Sequence, residues 1–143
     1  MTRSDESPPP PNLTGFSDYA DAFELRGFVA GRAHPSEELE PGVYSWPSWE
    51  SSPIVSEWHR ALYDHNIIDP QSPYLTEEFA ARMREFEDDP SLLSGQDLST
   101  IRTVLTYISR GERFCDGLMA DMFDKGVAQS ATRRLVELGR TPK

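Results

Sequence analysis

Leu98, Ile101, Leu105 and Ile108 follow one another at steps of three and four residues. That period places them on one face of a helix and does not suit a half-buried strand, whose apolar residues alternate. The same spacing appears in Phe16, Tyr19, Ala20 and Phe23, and in Ile54, Val55, Trp58, Ala61 and Leu62. It returns in Leu75, Phe79, Met83 and Phe86, in Phe114, Leu118, Met122 and Phe123, and in Ala131, Leu135 and Leu138. No long alternating run competes with these stripes. The chain is therefore expected to be all-α, mainly helical with five to six helices, and to hold at most a short extended pair near 43–46.

Start and stop signals frame the stripes. Ser17 is expected to cap the first helix, and Ser52 followed by Pro53 reads as N-cap and first helical residue of the second. Thr76 caps the third, with Glu77 and Glu78 suited to the positive end of the helix dipole. Asp88-Asp89-Pro90 stops it, and Asp97 starts the fourth. Gly126 reads as the glycine that ends the fifth helix, and Gly139 as the one that closes the sixth. Trp58, Phe79, Leu105, Phe114 and Leu118 are the expected core.

At 143 residues the chain fits one domain that can bury a core without disulfides or metal. Residues 1–14 carry Pro8 to Pro11 in a row among Ser, Asp and Glu, a composition that cannot offset its own ordering entropy. They are expected to form a flexible Pro-rich acidic tail, and 15–143 a single helical domain. No apolar run approaches the length of a membrane span, and no apolar segment follows the N-terminus as in a signal peptide. With a single cysteine, the chain suits a reducing cytoplasm.

The net charge of −10 is unevenly placed. Residues 1–100 hold 6 Lys+Arg against 19 Asp+Glu, and residues 101–143 hold 8 against 5. The acidic majority argues against non-specific nucleic-acid binding, while the basic end keeps a local anion site open.

That basic end contains "RGERFCDG", residues 110–117, where the helical phase changes at Gly111. A helix break there would put Arg110 in a last turn, and Arg113 and Asp116 in a first turn. Two readings follow. The arginines and the free N–H groups of the new helix could hold an anion. Alternatively Arg110 and Arg113 pair with carboxylates such as Glu112, Asp116 or Glu50 and tie helices together, which is the favoured reading. Cys115 has no histidine near it in sequence and reads as a small core residue rather than a nucleophile. His59 and His65 are six apart and so do not share a face, and no metal or cofactor is expected.

A second unusual stretch is "GVYSWPSWESSP", residues 42–53. Tyr44, Trp46 and Trp49 could stack on a base or a peptide. With nothing basic beside them, a lid of rings over the core is the favoured reading.

From Pro41 onward, "PGVYSWPSWESSPIVSEWHRALYDHNII" and "DLSTIRTVLTYISRGERFCDGLMADMFDKG" resemble a bacterial and phage-borne family of small domains of unknown function. The resemblance rests most firmly on a late segment, here Leu105, Thr106, Arg110, Arg113, Phe114, Gly117 and Gly126. The chain differs from the family in the loop Asp69-Pro70-Gln71-Ser72-Pro73 and in a more polar last helix. The resemblance carries no activity. It implies that the Arg110/Arg113/Gly117 segment defines the fold or its task.

Three functions compete. The first is a non-enzymatic cytoplasmic interaction module that presents an acidic surface to a protein partner. The second is a nucleotide- or phosphate-ligand-binding enzyme that uses Arg110 and Arg113 for phosphate, Glu112 or Asp116 as acid or base, and Tyr44 or Trp46 for stacking. The third is nucleic-acid binding by the basic region 110–140. With no catalytic constellation in the sequence, the first is favoured.

Overall fold

A computed structural model describes residues 10–34, 36–45, 48–111 and 117–140, with the side chains of Ala33, His34, Ser48 and Trp49 left out of the description. Its elements are α1 (Ser17–Phe23), β1 (Gly31–His34), β2 (Glu38–Glu40), β3 (Val43–Tyr44), β4 (Ser48–Ser51), α2 (Pro53–Asp64), α3 (Glu77–Asp88), a 3-10 segment (Pro90–Gly95), α4 (Leu98–Gly111), α5 (Leu118–Asp124) and α6 (Val127–Arg140). The molecule is mainly helical, with two small two-stranded antiparallel sheets among the described residues.

The helices form where the stripes place them. Val55, Trp58 and Leu62 of α2, and Phe79, Met83 and Phe86 of α3, are buried. Thr76 accepts from the Phe79 N–H at 3.1 Å, and Asp97 accepts from the Thr100 N–H at 2.9 Å. Helix α4 is the axis of the core. Ile101, Val104, Leu105 and Ile108 are fully enclosed, and Thr103, Thr106 and Ser109 are buried beside them. Those hydroxyls are satisfied, as burial demands: Thr103 donates to the Ser99 carbonyl at 2.9 Å, and Thr106 accepts from the Asp69 N–H at 2.9 Å.

Phe23, Trp58 and Phe123 meet edge to face, with centroids 5.0 to 5.6 Å apart, and join α1, α2 and α5. Trp58 also donates from Nε1 to the Thr132 hydroxyl at 3.0 Å, and Thr132 passes its own proton to the Ala128 carbonyl at 2.8 Å. The largest buried ring therefore enters the core with its polar edge satisfied.

Several local expectations are corrected. The N-cap of α1 is Phe16, with Ser17 already helical and no side-chain cap bond. Ser52 is the N-cap of α2, but its side chain makes no cap bond either. Leu75, read into the buried face of the third helix, lies before its cap and is 81% exposed. Asp89 does not merely end α3. It caps the 3-10 segment by accepting from Ser91 N–H at 3.2 Å. Helix α6 runs through Gly139 to Arg140, and Gly139 is where Leu13 packs, 3.1 Å from the position a Cβ would take. Gly126, with φ +85°, takes the left-handed conformation expected of a residue between α5 and α6. Leu118 is only partly buried, and Phe114 lies outside the described residues.

Strand content also exceeds the one short pair near 43–46. Strand β1 pairs with β4, Gly31 opposite Ser51, and β2 pairs with β3, Glu38 opposite Tyr44. Glu38 opposite Tyr44 continues the register of β1 and β4, and the register then shifts between Glu38 and Glu40 before the chain reverses at Pro41-Gly42. Gly42 has φ +81°, which a Pro-Gly turn requires.

Of the segment read as a tail, residues 1–9 lie outside the described residues. Asn12 donates its N–H to the His65 carbonyl at 2.8 Å, and Leu13 packs against the core.

Candidate functional site

The last turn of α4 and two turns of α2 share a polar cluster at the edge of the core. His59 and Tyr63 are four residues apart on α2 and so project from one face. Both reach Ser109 across the helix interface. His59 Nε2 is 2.6 Å from the Ser109 hydroxyl, and that hydroxyl donates to the Tyr63 hydroxyl at 3.1 Å. A hydroxyl has one proton. If Ser109 gives it to Tyr63, then Nε2 of His59 must carry the hydrogen and donate. The chain then runs His59 to Ser109 to Tyr63 and ends on a ring that is half out in solvent.

The next residue, Arg110, points to a different neighbour. Its Nε donates to the hydroxyl of Tyr74 at 2.8 Å, and Tyr74 is 9% exposed. Arg110 is half-buried and, among the described residues, has no carboxylate within ion-pair distance. Its charge faces the Tyr74 hydroxyl and the carbonyl end of α4, which a cation suits. Glu50, proposed as an arginine partner, lies 3.6 Å from Arg32 on the ribbon. Arg113, Asp116, Glu112 and Cys115 lie outside the described residues.

Gly111 ends α4 at a close approach. A Cβ there would collide with the Leu118 side chain, so the glycine lets the start of α5 come against the end of α4. Gly117 takes φ +91° immediately before α5.

The aromatic candidates lie elsewhere. Tyr44 is on β3, opposite Glu38 and 61% exposed. Trp49 is on β4, with its backbone opposite Ala33, and Trp46 lies outside the described residues. No hydrogen bond or ring contact joins Tyr44 to Arg110 among the described residues.

From Ser36 to Tyr44 every residue is exposed. This part of the ribbon carries Leu39, Val43 and Tyr44 in solvent beside Glu37, Glu38 and Glu40. It is held together by its own bonds: Ser45 N–H to the Glu37 carbonyl at 2.8 Å, the Ser36 hydroxyl to the Ser45 carbonyl at 2.6 Å, and the Glu37 N–H to the Ser45 hydroxyl at 2.9 Å.

Sequence reasoning missed His59, Tyr63, Tyr74 and Ser109. A signal for Ser109 was present. It stands four residues after Leu105, on the buried face of α4, where a hydroxyl needs a partner.

Among the described residues no helix is long and apolar enough to cross a membrane, and no three His, Cys, Asp or Glu side chains are grouped to hold a metal ion. Comparison with curated proteins and with solved structures returns no match. Residues 8–141, nearly the whole chain and with it both the α2/α4 cluster and the ribbon, match a family of unknown function (DUF6508), and the chain belongs to that family.

Proposed function

We propose that the protein is a non-enzymatic interaction module of the cytoplasm, and that it presents an acidic surface to a protein partner. The observation that carries this reading is the ribbon from Glu37 to Tyr44. An isolated two-stranded ribbon is marginal in water, and residues 36–44 are all exposed here, with no third layer over either face among the described residues. Yet it keeps Leu39 at 64% and Tyr44 at 61% exposure. Exposed apolar side chains on open strand edges are the usual equipment of a docking element. Glu37, Glu38 and Glu40 oppose edge-to-edge pairing of copies and steer the ribbon toward a basic partner surface.

A photo-crosslinking residue at position 39 tests this in cells that make the protein. The expected result is one dominant adduct with a protein of basic surface, lost when Glu38 and Glu40 are both changed to Lys. No adduct at position 39, or one indifferent to charge reversal, refutes it.

One observation favours a second reading, binding of a nucleotide or other phosphate ligand. Among the described residues Arg110 has no carboxylate partner and bonds only through Nε, to Tyr74. Titration of a nucleotide panel into wild type and Arg110→Met separates the two: saturable binding lost in the variant supports the phosphate reading. The third reading, nucleic-acid binding, is weakened by the carboxylate pairing of two basic residues of the last third. Lys125 lies against Glu87 and Asp121, and Arg133 against Asp21 and Glu24.

A further inference from the structure

The 3-10 segment Pro90–Gly95 runs beside the first half of α6 and leaves a cavity of about 340 Å³ between them, with α1's end at its rim. That volume is at the lower end of the range for pockets that hold small organic molecules. Gly126, Ser130 and Arg134 are spaced four apart and share the α6 wall. Gly126 has φ +85°, and a Cβ there would lie in contact with the Pro90 ring across the gap. Ser91 and Ser94 form the facing wall.

Several polar groups of the cavity already have definite roles, while the buried Gln129 Oε1 has no hydrogen-bond partner among the described residues, and together these define what could fill it. Ser91 donates its hydroxyl proton to Asp89 at 2.6 Å, and Ser94 donates its own to the Ser91 carbonyl at 2.9 Å. Both oxygens are left as acceptors. Arg134 donates from Nε to the Gln96 carbonyl at 2.8 Å, and its Nη1 lies 3.4 Å from Glu137, so Nη donors remain. The Ser130 hydroxyl has no partner among the described residues, and it both donates and accepts.

The charge balance disfavours an anion as the natural occupant. Arg133 donates from Nε and Nη2 to the two Glu24 oxygens at 3.0 and 2.8 Å, and from Nη2 to Asp21 at 2.8 Å. With Glu137 beside Arg134, three carboxylates surround two guanidinium groups. An added phosphate or carboxylate would meet net negative charge. A group that donates to the serine oxygens and accepts from the guanidinium edges is required, and an alcohol does both.

We infer that this cavity binds a neutral polyhydroxy compound, a sugar or a polyol, with Ser91 and Ser94 accepting from its hydroxyls, Arg134 donating to them, and Ser130 doing either. The inference is independent of the ribbon and of its partner.

The test is an amide-resolved NMR titration of the ¹⁵N-labelled full chain with a panel of neutral mono- and disaccharides and glycerol, with inorganic phosphate as the anionic comparison. Saturable shifts confined to Ser91, Ser94, Gly126 and Ser130 are expected for at least one sugar or polyol, with a Kd of about 1 mM or tighter. Phosphate should give none. Ser130→Leu fills the cavity from a side chain that holds nothing else in place, and should weaken binding by at least ~10-fold, or about 1.4 kcal/mol. If that variant does not fold, Ser130→Ala carries the same comparison. The inference fails if no panel member gives a saturable shift at about 50 times that Kd. It also fails if binding is unchanged in the Ser130 variant, or if phosphate alone binds.

Discussion

Arg110 and Tyr74 meet through one hydrogen bond, Nε to hydroxyl at 2.8 Å, and that bond links the end of α4 to the segment before α3. An arginine at a helix end would ordinarily be assigned a carboxylate, and this chain holds 24 Asp and Glu. Among the described residues the buried Tyr74 hydroxyl takes that place. The difference alters what removing either residue should cost, because no carboxylate described in the structure is left stranded.

Arg110→Met should lower stability by about 0.5–1.5 kcal/mol, the net worth of one hydrogen bond, rather than the ~3–5 kcal/mol of a broken buried ion pair. Tyr74→Phe should fall in the same range. Urea unfolding of both variants and the double variant measures this. A loss above 3 kcal/mol for Arg110→Met would mean that it holds a charge not accounted for by Tyr74.

Leu105 is fully enclosed at the centre of α4. Leu105→Ala should cost ~2–5 kcal/mol, from lost burial and the cavity left behind. Trp58→Phe should strand the Thr132 hydroxyl's acceptor side and reduce packing against Phe23 and Phe123, lowering the thermal midpoint. Thermal and urea denaturation of each variant are the measurements.

Asp97 caps α4, and the Thr100 N–H and hydroxyl hold its carboxyl below the ordinary value. A depressed folded pKa gives stability that is present above the unfolded value of about 3.9 and lost as pH falls through the folded one. Asp97→Ala should cost about 1 kcal/mol at pH 7. Asp97→Asn keeps a capping oxygen and removes the titration. The gap between wild type and Asp97→Asn should therefore narrow between pH 5 and pH 2, a range to be followed by urea midpoints. A gap that widens on acidification would contradict the cap.

Leu39→Ser and Tyr44→Ser should leave stability within about 0.5 kcal/mol, because neither side chain is buried. Calorimetry on the purified variants checks this. If either substitution destabilises the domain markedly, the ribbon packs on the fold and is not a docking element.

The sequence by itself determined the helices and several of their ends. The stripes around Trp58, Phe79 and Leu105 specify which faces turn inward, since helical period and burial are one fact. The caps at Thr76 and Asp97 and the left-handed glycine at 126 are equally local, because each is settled by bonds or backbone angles within four residues. Tertiary structure decided the rest. Ser109 meets His59 fifty residues away, and Arg110 meets Tyr74 thirty-six residues away. Nothing in local spacing selects such partners, which are fixed only when α2 and the segment before α3 come against α4. Beyond the extended pair expected near 43–46, the ribbon escaped the sequence reading for a related reason. Its strands bury neither face, so the alternation of apolar and polar residues that marks a strand was never imposed on 36–44. Leu75 shows the same limit from the other side: its place in the stripe predicts burial, but the chain has not yet entered α3 there, and no neighbouring element covers it.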